Sequence, residues 1–209
     1  MRIETIPVGV IQTNCYLVLP NQSTALYIID PGDDAQEIAK LAAQFNYQSC
    51  AVLLTHAHVD HIAALGELQR LLNPQYVFLR TPDHALYASR DNALLPWLPP
   101  AKNLPAITGR ADERDFSVIS LPGHTPGGSG FLFPGNPAAL FVGDTLFAGS
   151  IGRTDLPGGD TKALLDAICS HLLTLPDDLI VYPGHGPATT IGKERKNNPF
   201  LQGLHDEKR

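Results

Sequence analysis

The sequence predicts an α+β fold in which two similar layers pack face to face with helices outside. Two observations carry that prediction. Short strand-like runs are interleaved with amphipathic helical runs in β-then-α order, and the second half of the chain repeats the first in kind, although without a detailed internal repeat.

Taken in order, Ile3 to Val10, Asn14 to Leu19 and Thr24 to Ile29 read as strands of an antiparallel meander, separated by the turn formers Gln12-Thr13-Asn14 and Pro20-Asn21-Gln22-Ser23. Asp30-Pro31-Gly32 stops the third strand and turns it toward a helix from about Asp34 to Phe45, whose Ile38, Leu41, Ala42 and Phe45 form one apolar face. A buried strand, Ala51 to Leu54, follows, then a polar loop, a helix from Ile62 to Leu72, a short strand Tyr76 to Leu79, and a helix opened by a Thr81 cap and Pro82. Prolines 96, 99, 100 and 105 make Asp91 to Pro105 irregular, as a rim or lid over a site or as a packed surface loop. In the second half, Phe116 to Leu121, Gly130 to Phe133, Ala139 to Val142 and Leu179 to Tyr182 read as strands, and Thr161 to Leu173 as a helix with Leu164, Leu165, Ile168 and Leu172 on one side.

The bulk composition narrows the function. With 209 residues, 44% of them hydrophobic, the chain can bury a substantial core. A formal net charge of −6 disfavours a general nucleic-acid or anionic-membrane binder, since such surfaces need clustered Lys and Arg. Cys15, Cys50 and Cys169 are isolated and odd in number, which suggests reduced thiols and neither a disulfide framework nor a thiolate zinc site. The first seven residues contain an acid and a proline where a signal peptide needs an unbroken apolar run, and no run approaches transmembrane length, so a cytoplasmic protein is expected.

Chemistry concentrates at Thr55-His-Ala-His-Val-Asp-His61. His56, His58, Asp60 and His61 place imidazole and carboxylate ligands directly after a buried strand, in a density that suits zinc and similar divalent metals. His56 and His58 project to one side of an extended backbone, while Asp60 and His61 lie past the bend, in the first turn of the helix. Three further turns each carry a polar residue beside glycine: Gly123-His124, Gly143-Asp144 and Gly184-His185-Gly186. Glycine there permits close backbone approach and aims a short side chain into a crevice. Together His56, His58, Asp60, His61, His124, Asp144 and His185 exceed what one tetrahedral ion needs and suit two ions about 3.5 to 4 Å apart sharing a carboxylate. Asp30 reads either as an orienter of the histidine loop or as a turn cap; His84, His171 and His205 read as exposed or capping.

This pattern, His-x-His-x-Asp-His followed by separate His, Asp and His turns, resembles the metallo-β-lactamase-fold hydrolases over nearly the whole length. The stretches Gly143 to Asp155 and Pro183 to Lys193 are similar to those of the glyoxalase II (hydroxyacylglutathione hydrolase) group in its short single-domain form. The resemblance implies an αββα sandwich of two mixed sheets over residues 1–209, with no C-terminal helical glutathione-binding domain. It implies two metal ions, expected to be Zn²⁺ with iron or manganese as alternatives: one on His56, His58 and His124, the other on Asp60, His61 and His185, bridged by Asp144. The implied reaction is hydrolysis of S-D-lactoylglutathione or another 2-hydroxyacyl glutathione thioester by a metal-bridging hydroxide, with Asp60 and Asp144 as catalytic residues. Arg153 and Lys193 are the expected contacts to the anionic tripeptide, and the protein is expected to be a monomer or weak homo-oligomer without nucleic-acid or membrane partners.

Competing readings remain open at this point. A mononuclear-iron glutathione persulfide dioxygenase resembles the chain at Gly152-Arg-Thr-Asp155, but Pro183-Gly-His-Gly-Pro187 lacks the longer acidic turn associated with that group. β-Lactam hydrolysis is set back by Asp144, where many such enzymes place Cys or His, and nuclease activity by the acidic charge. A non-catalytic metal-binding or redox-partner module is the remaining class.

Overall fold

The structure, a computed structural model, describes residues 1–108 and 114–202. His205 therefore lies outside the described residues. The chain divides into two compact units, Met1–Asp115 and Phe116–Arg209.

The first unit is built on a five-stranded mixed sheet in the order β1-β2-β3-β4-β5. β1 (Arg2–Val8), β2 (Thr13–Leu19) and β3 (Ala25–Ile29) form the expected antiparallel meander. α1 (Ala35–Ala42) then crosses over to β4 (Ser49–Leu53), which runs parallel to β3, and β5 (Val77–Phe78) extends the parallel part. β2 starts at Thr13, one residue before the expected Asn14, and Thr13 is buried in the strand where the sequence suggested a turn. The helix expected over 62–72 starts earlier and comes in two pieces, α2 (Val59–Ile62) and α3 (Leu65–Leu72). Thr81 opens a 3-10 turn, Thr81–Asp83, instead of capping it, and α4 (His84–Ala88) follows. Residues 91–105 are irregular as predicted, apart from the end of a short 3-10 turn over Arg90–Asn92 and a single bridge between Leu94 and Leu98. Leu17, Leu26, Ile28, Ile38, Val52 and Leu54 are fully buried in this unit's core, each contributing about 1.5 to 3 kcal/mol of transfer free energy as an upper bound.

The second unit contains another five-stranded mixed sheet. Its order is β12-β11-β8-β7-β6, where β6 is Ser117–Ser120, β7 Ser129–Phe133, β8 Ala139–Gly143, β11 Ile180–Pro183 and β12 Thr189–Thr190. β8 and β11 are parallel neighbours; the other pairs are antiparallel. A small hairpin of β9 (Leu146–Phe147) and β10 (Ser150–Ile151), missed by the sequence reading, follows β8. α5 (Thr161–Ala167) is capped by the Asp160 carboxylate and continues as a π-helical turn, Ile168–Leu172. α6 (Ile191–Asn197) is anchored by buried Glu194, whose carboxylate accepts from Thr189, Asn198 and the Gly149 amide. That contact fixes the β9-β10 hairpin to the helix. No helix among the described residues is long and apolar enough to cross a membrane.

Candidate metal centre

In the first unit the candidate ligand residues follow the carboxyl end of β4, beside the carboxyl end of its parallel neighbour β3, the usual place for a site in such sheets. His56 and His58 lie in the loop after the strand, and Asp60 and His61 lie within α2. The His56 ring centroid is 4.9 Å from that of His58 and 4.1 Å from that of His61, so the three imidazoles gather as the spacing predicted. Asp60 Oδ2 is 3.2 Å from His61 Nε2 and accepts a 2.9 Å hydrogen bond from the Thr13 hydroxyl. All four are buried. Gly32 makes this packing possible, because a Cβ there would stand 1.5 Å from the Asp60 carbonyl oxygen.

Asp30 takes the orienting role. Its Oδ1 accepts from the Thr55 amide at 2.7 Å, and its Oδ2 accepts from the Thr55 hydroxyl at 2.6 Å and from His61 Nδ1 at 3.0 Å. Thr55 and Thr13 are functional partners that the sequence reading missed. Thr55 borders the histidine motif, a clue that was available; nothing local marks Thr13, whose bond to Asp60 joins residues 47 positions apart.

In the second unit, Asp144 follows β8 and His185 follows β11, so these two candidate ligands leave the carboxyl ends of adjacent parallel strands. The Gly184 amide donates to the Gly143 carbonyl at 2.8 Å and ties the two turns together. His124 sits in the turn after β6. Asp144 Oδ2 lies 3.7 Å from His124 Nε2 and 3.6 Å from His185 Nε2, so the carboxylate lies between the imidazoles. His124 Nδ1 donates to the Arg153 carbonyl at 2.7 Å. Gly152 allows the return of that chain, since a Cβ on it would meet the Asp144 carbonyl oxygen at 1.8 Å.

The donor set fits a divalent metal. Imidazoles 56, 61 and 124 each engage Nδ1 with a hydroxyl, carboxylate or carbonyl oxygen, which leaves Nε2 as the nitrogen that could take a metal. Burial, with the nearby Asp30 charge second, pushes the Cys15 thiol well up.

The expected substrate contacts are placed less simply. The Arg153 guanidinium is exposed and forms a bidentate pair with Asp155, both bonds 2.7 Å, which holds the Asp155 carboxyl down at about 2. Lys193 is an exposed residue of α6 whose amide is capped by Thr190. Arg195, beside it, is spent on the Leu173 and Leu175 carbonyls and on Asp177. From the 91–105 segment, Leu98 reaches a small apolar cleft of about 30 Å³ that Val8, Val10, Ile11, Val59 and Asp60 also line.

Residues 8–185 match the metallo-beta-lactamase superfamily model, and the chain belongs to that superfamily: it is a metal-binding hydrolase with the metallo-β-lactamase fold. Among individual proteins it is 38% identical over 214 residues to hydroxyacylglutathione hydrolase GloC of Haemophilus influenzae, covering 96% of this chain and 98% of that one. Two solved structures are similar throughout. The BLEG-1 B3 metallo-beta-lactamase has a TM-score of 0.86 at 38% identity, over 97% of this chain and 100% of its own. TTHA1623 in a di-iron-bound form has a TM-score of 0.85 at 39% identity, over 95% and 100%.

Proposed function

We propose that the protein is a glyoxalase II type thioesterase, hydrolysing S-D-lactoylglutathione and related 2-hydroxyacyl glutathione thioesters to a 2-hydroxy acid and glutathione. The observation that carries this reading is the donor set of imidazoles and carboxylates with Asp144 between two of the rings. The GloC relative supports the substrate class. In this reading the two units form one catalytic domain, with one ion on His56, His58 and His124, a second on Asp60, His61 and His185, and Asp144 shared.

The chemistry that metal held by these residues would supply is a lowered pKa for bound water and polarisation of the thioester carbonyl. The chain's own part is positional. Asp60, held by Thr13, orients the attacking water, and the Nδ1 partners keep each ligand ring in place. Arg153 and Lys193 face the glutathione carboxylates, and for Arg153 an incoming carboxylate must share or replace Asp155. Zinc is the proposed metal; imidazole and carboxylate also accommodate iron and manganese, and the similar TTHA1623 is known in a di-iron-bound form. Thiols outside any disulfide suit a cytoplasmic protein, acting as a monomer or weak homo-oligomer without nucleic-acid or membrane partners.

β-Lactam hydrolysis is the second reading, favoured by the likeness to BLEG-1. Parallel assays on S-D-lactoylglutathione and a chromogenic cephalosporin, with dissolved oxygen recorded, separate the readings. The proposal expects thiol release without oxygen uptake and a higher kcat/KM for the thioester. A preference for the cephalosporin, or oxygen consumption on glutathione persulfide without thioester hydrolysis, would overturn it.

A further inference from the structure

We propose that Glu194 is a positioning residue for the second unit's candidate ligands, His124, Asp144 and His185, and that it acts on them from α6 through the β9-β10 hairpin. The proposal rests on the reading of those three side chains as metal ligands.

The hairpin cannot hold itself. It pairs Phe147 with Ser150 and Leu146 with Ile151, and a two-stranded ribbon of that length is not stable unaided in water. All three ligands nevertheless depend on where it lies. Asp144 stands two residues before β9. On the return, the Gly152 amide donates to the Thr145 carbonyl at 3.2 Å, and the Arg153 carbonyl accepts from His124 Nδ1 at 2.7 Å. The Phe147 ring centroid lies 6.3 Å from that of His185.

What holds the hairpin is a two-point grip on its tip. Gly149, in the left-handed region with φ of 77°, donates its amide to Glu194 Oε2 at 2.8 Å. Asn198, one helical turn beyond Glu194, donates from Nδ2 to the Ser150 carbonyl at 3.0 Å and to the same Glu194 oxygen at 2.9 Å. Glu194 is 1% exposed and Asn198 0%, so water does not compete for these bonds. The helix behind them is itself fixed: Ile191 is fully buried and donates its amide to the Leu179 carbonyl at 3.2 Å, and the Arg195 guanidinium holds the Leu173 and Leu175 carbonyls. Residues 45 and 48 positions further along the chain thus set the tip of the hairpin, and a shift of the tip passes through two residue pairs to the ligand turns.

The donors around Glu194 separate positioning from simple stability. Glutamine in its place keeps an oxygen that can accept from Gly149 and Asn198, and its NH₂ group would face the Thr189 hydroxyl, which can accept as well as donate. Methionine keeps the length and offers Gly149 no comparable acceptor. Thr189→Val removes a bond to Glu194 Oε1 that does not reach the hairpin.

Two measurements on the full chain test the grip: histidine-selective nitrogen NMR without metal at about pH 8, above the ordinary imidazole range, and Co²⁺ titration followed by visible absorption. Glu194→Met is expected to shift the His124 and His185 signals, to leave those of His56 and His61 in place, and to weaken Co²⁺ binding by about 10- to 100-fold. Glu194→Gln should restore both readouts. Thr189→Val should lower the melting temperature with signals and Co²⁺ affinity unchanged. If Glu194→Met does not fold, Asn198→Ala, which frees the Ser150 carbonyl, should give the same pattern at smaller size. Unmoved His124 and His185 signals in the folded variant, or an equal Co²⁺ loss in Thr189→Val, would overturn the proposal. Failure of the ligand reading would show differently, as a wild type that takes up no Co²⁺ while His124 and His185 still respond to the substitution.

Discussion

In Met1–Asp115 the candidate ligands come from one loop and one turn of helix, are buried, and rest on a shared carboxylate network. In Phe116–Arg209 they come from three separate turns, and the side chains of Asp144 and His185 are 14% and 29% exposed. Both units nevertheless use the carboxyl ends of neighbouring parallel strands, β3 with β4 and β8 with β11. The contrast teaches how each kind of ligand is held. A contiguous motif needs buried partners to separate and orient crowded rings, whereas a ligand alone on a turn needs glycines that let the backbone pass close by.

Four substitutions sharpen that contrast, beginning with the largest effect. Asp144→Ala should lower metal-dependent thioester turnover by more than about 100-fold, beyond the usual cost of losing a ligand's supporting partner, while circular dichroism stays unchanged. Gly152→Ala forces a methyl into the Asp144 carbonyl, and thermal unfolding should register a loss of about 1 to 3 kcal/mol together with weaker metal binding. Thr13→Val acts on the first unit: leaving the Asp60 carboxylate without this buried donor should cost about 1 to 3 kcal/mol in denaturant unfolding.

Arg153→Ala is the mildest. Its pair with Asp155 is exposed, so the melting temperature should hardly change. KM for a glutathione thioester should rise while KM for a neutral thioester does not; equal rises would exclude a charge clamp. The sign of the pH dependence follows from Asp155. Its carboxyl is depressed to about 2, so the pair is complete above the ordinary carboxylate range and is lost only as pH falls through about 2. The KM contrast should therefore not vary with Asp155 ionisation across neutral pH.

The same contrast explains what the sequence made legible. His56 to His61 stands out because the ligands are adjacent in the chain, and the meander, the β4 strand and α5 because their periodicity is strong. His124, Asp144 and His185 were readable only from their flanking glycines and from occurring together. Thr13 could not be assigned, because its partner Asp60 lies 47 positions away on α2; Thr55 borders the motif, but its partner Asp30 is brought to it by the pairing of β3 with β4 and not by spacing. The β9-β10 hairpin escaped notice because its two-residue strands have no periodicity to detect.

The central claim is that both ligand sets act on a pair of divalent ions held in common through Asp144. Elemental analysis of the purified protein and of its Asp144→Ala variant, after equilibration with Zn²⁺ and removal of loose metal, tests it most directly. The account predicts two ions per chain in wild type and no more than one in the variant. Two tightly held ions in Asp144→Ala, or one in wild type, would contradict it.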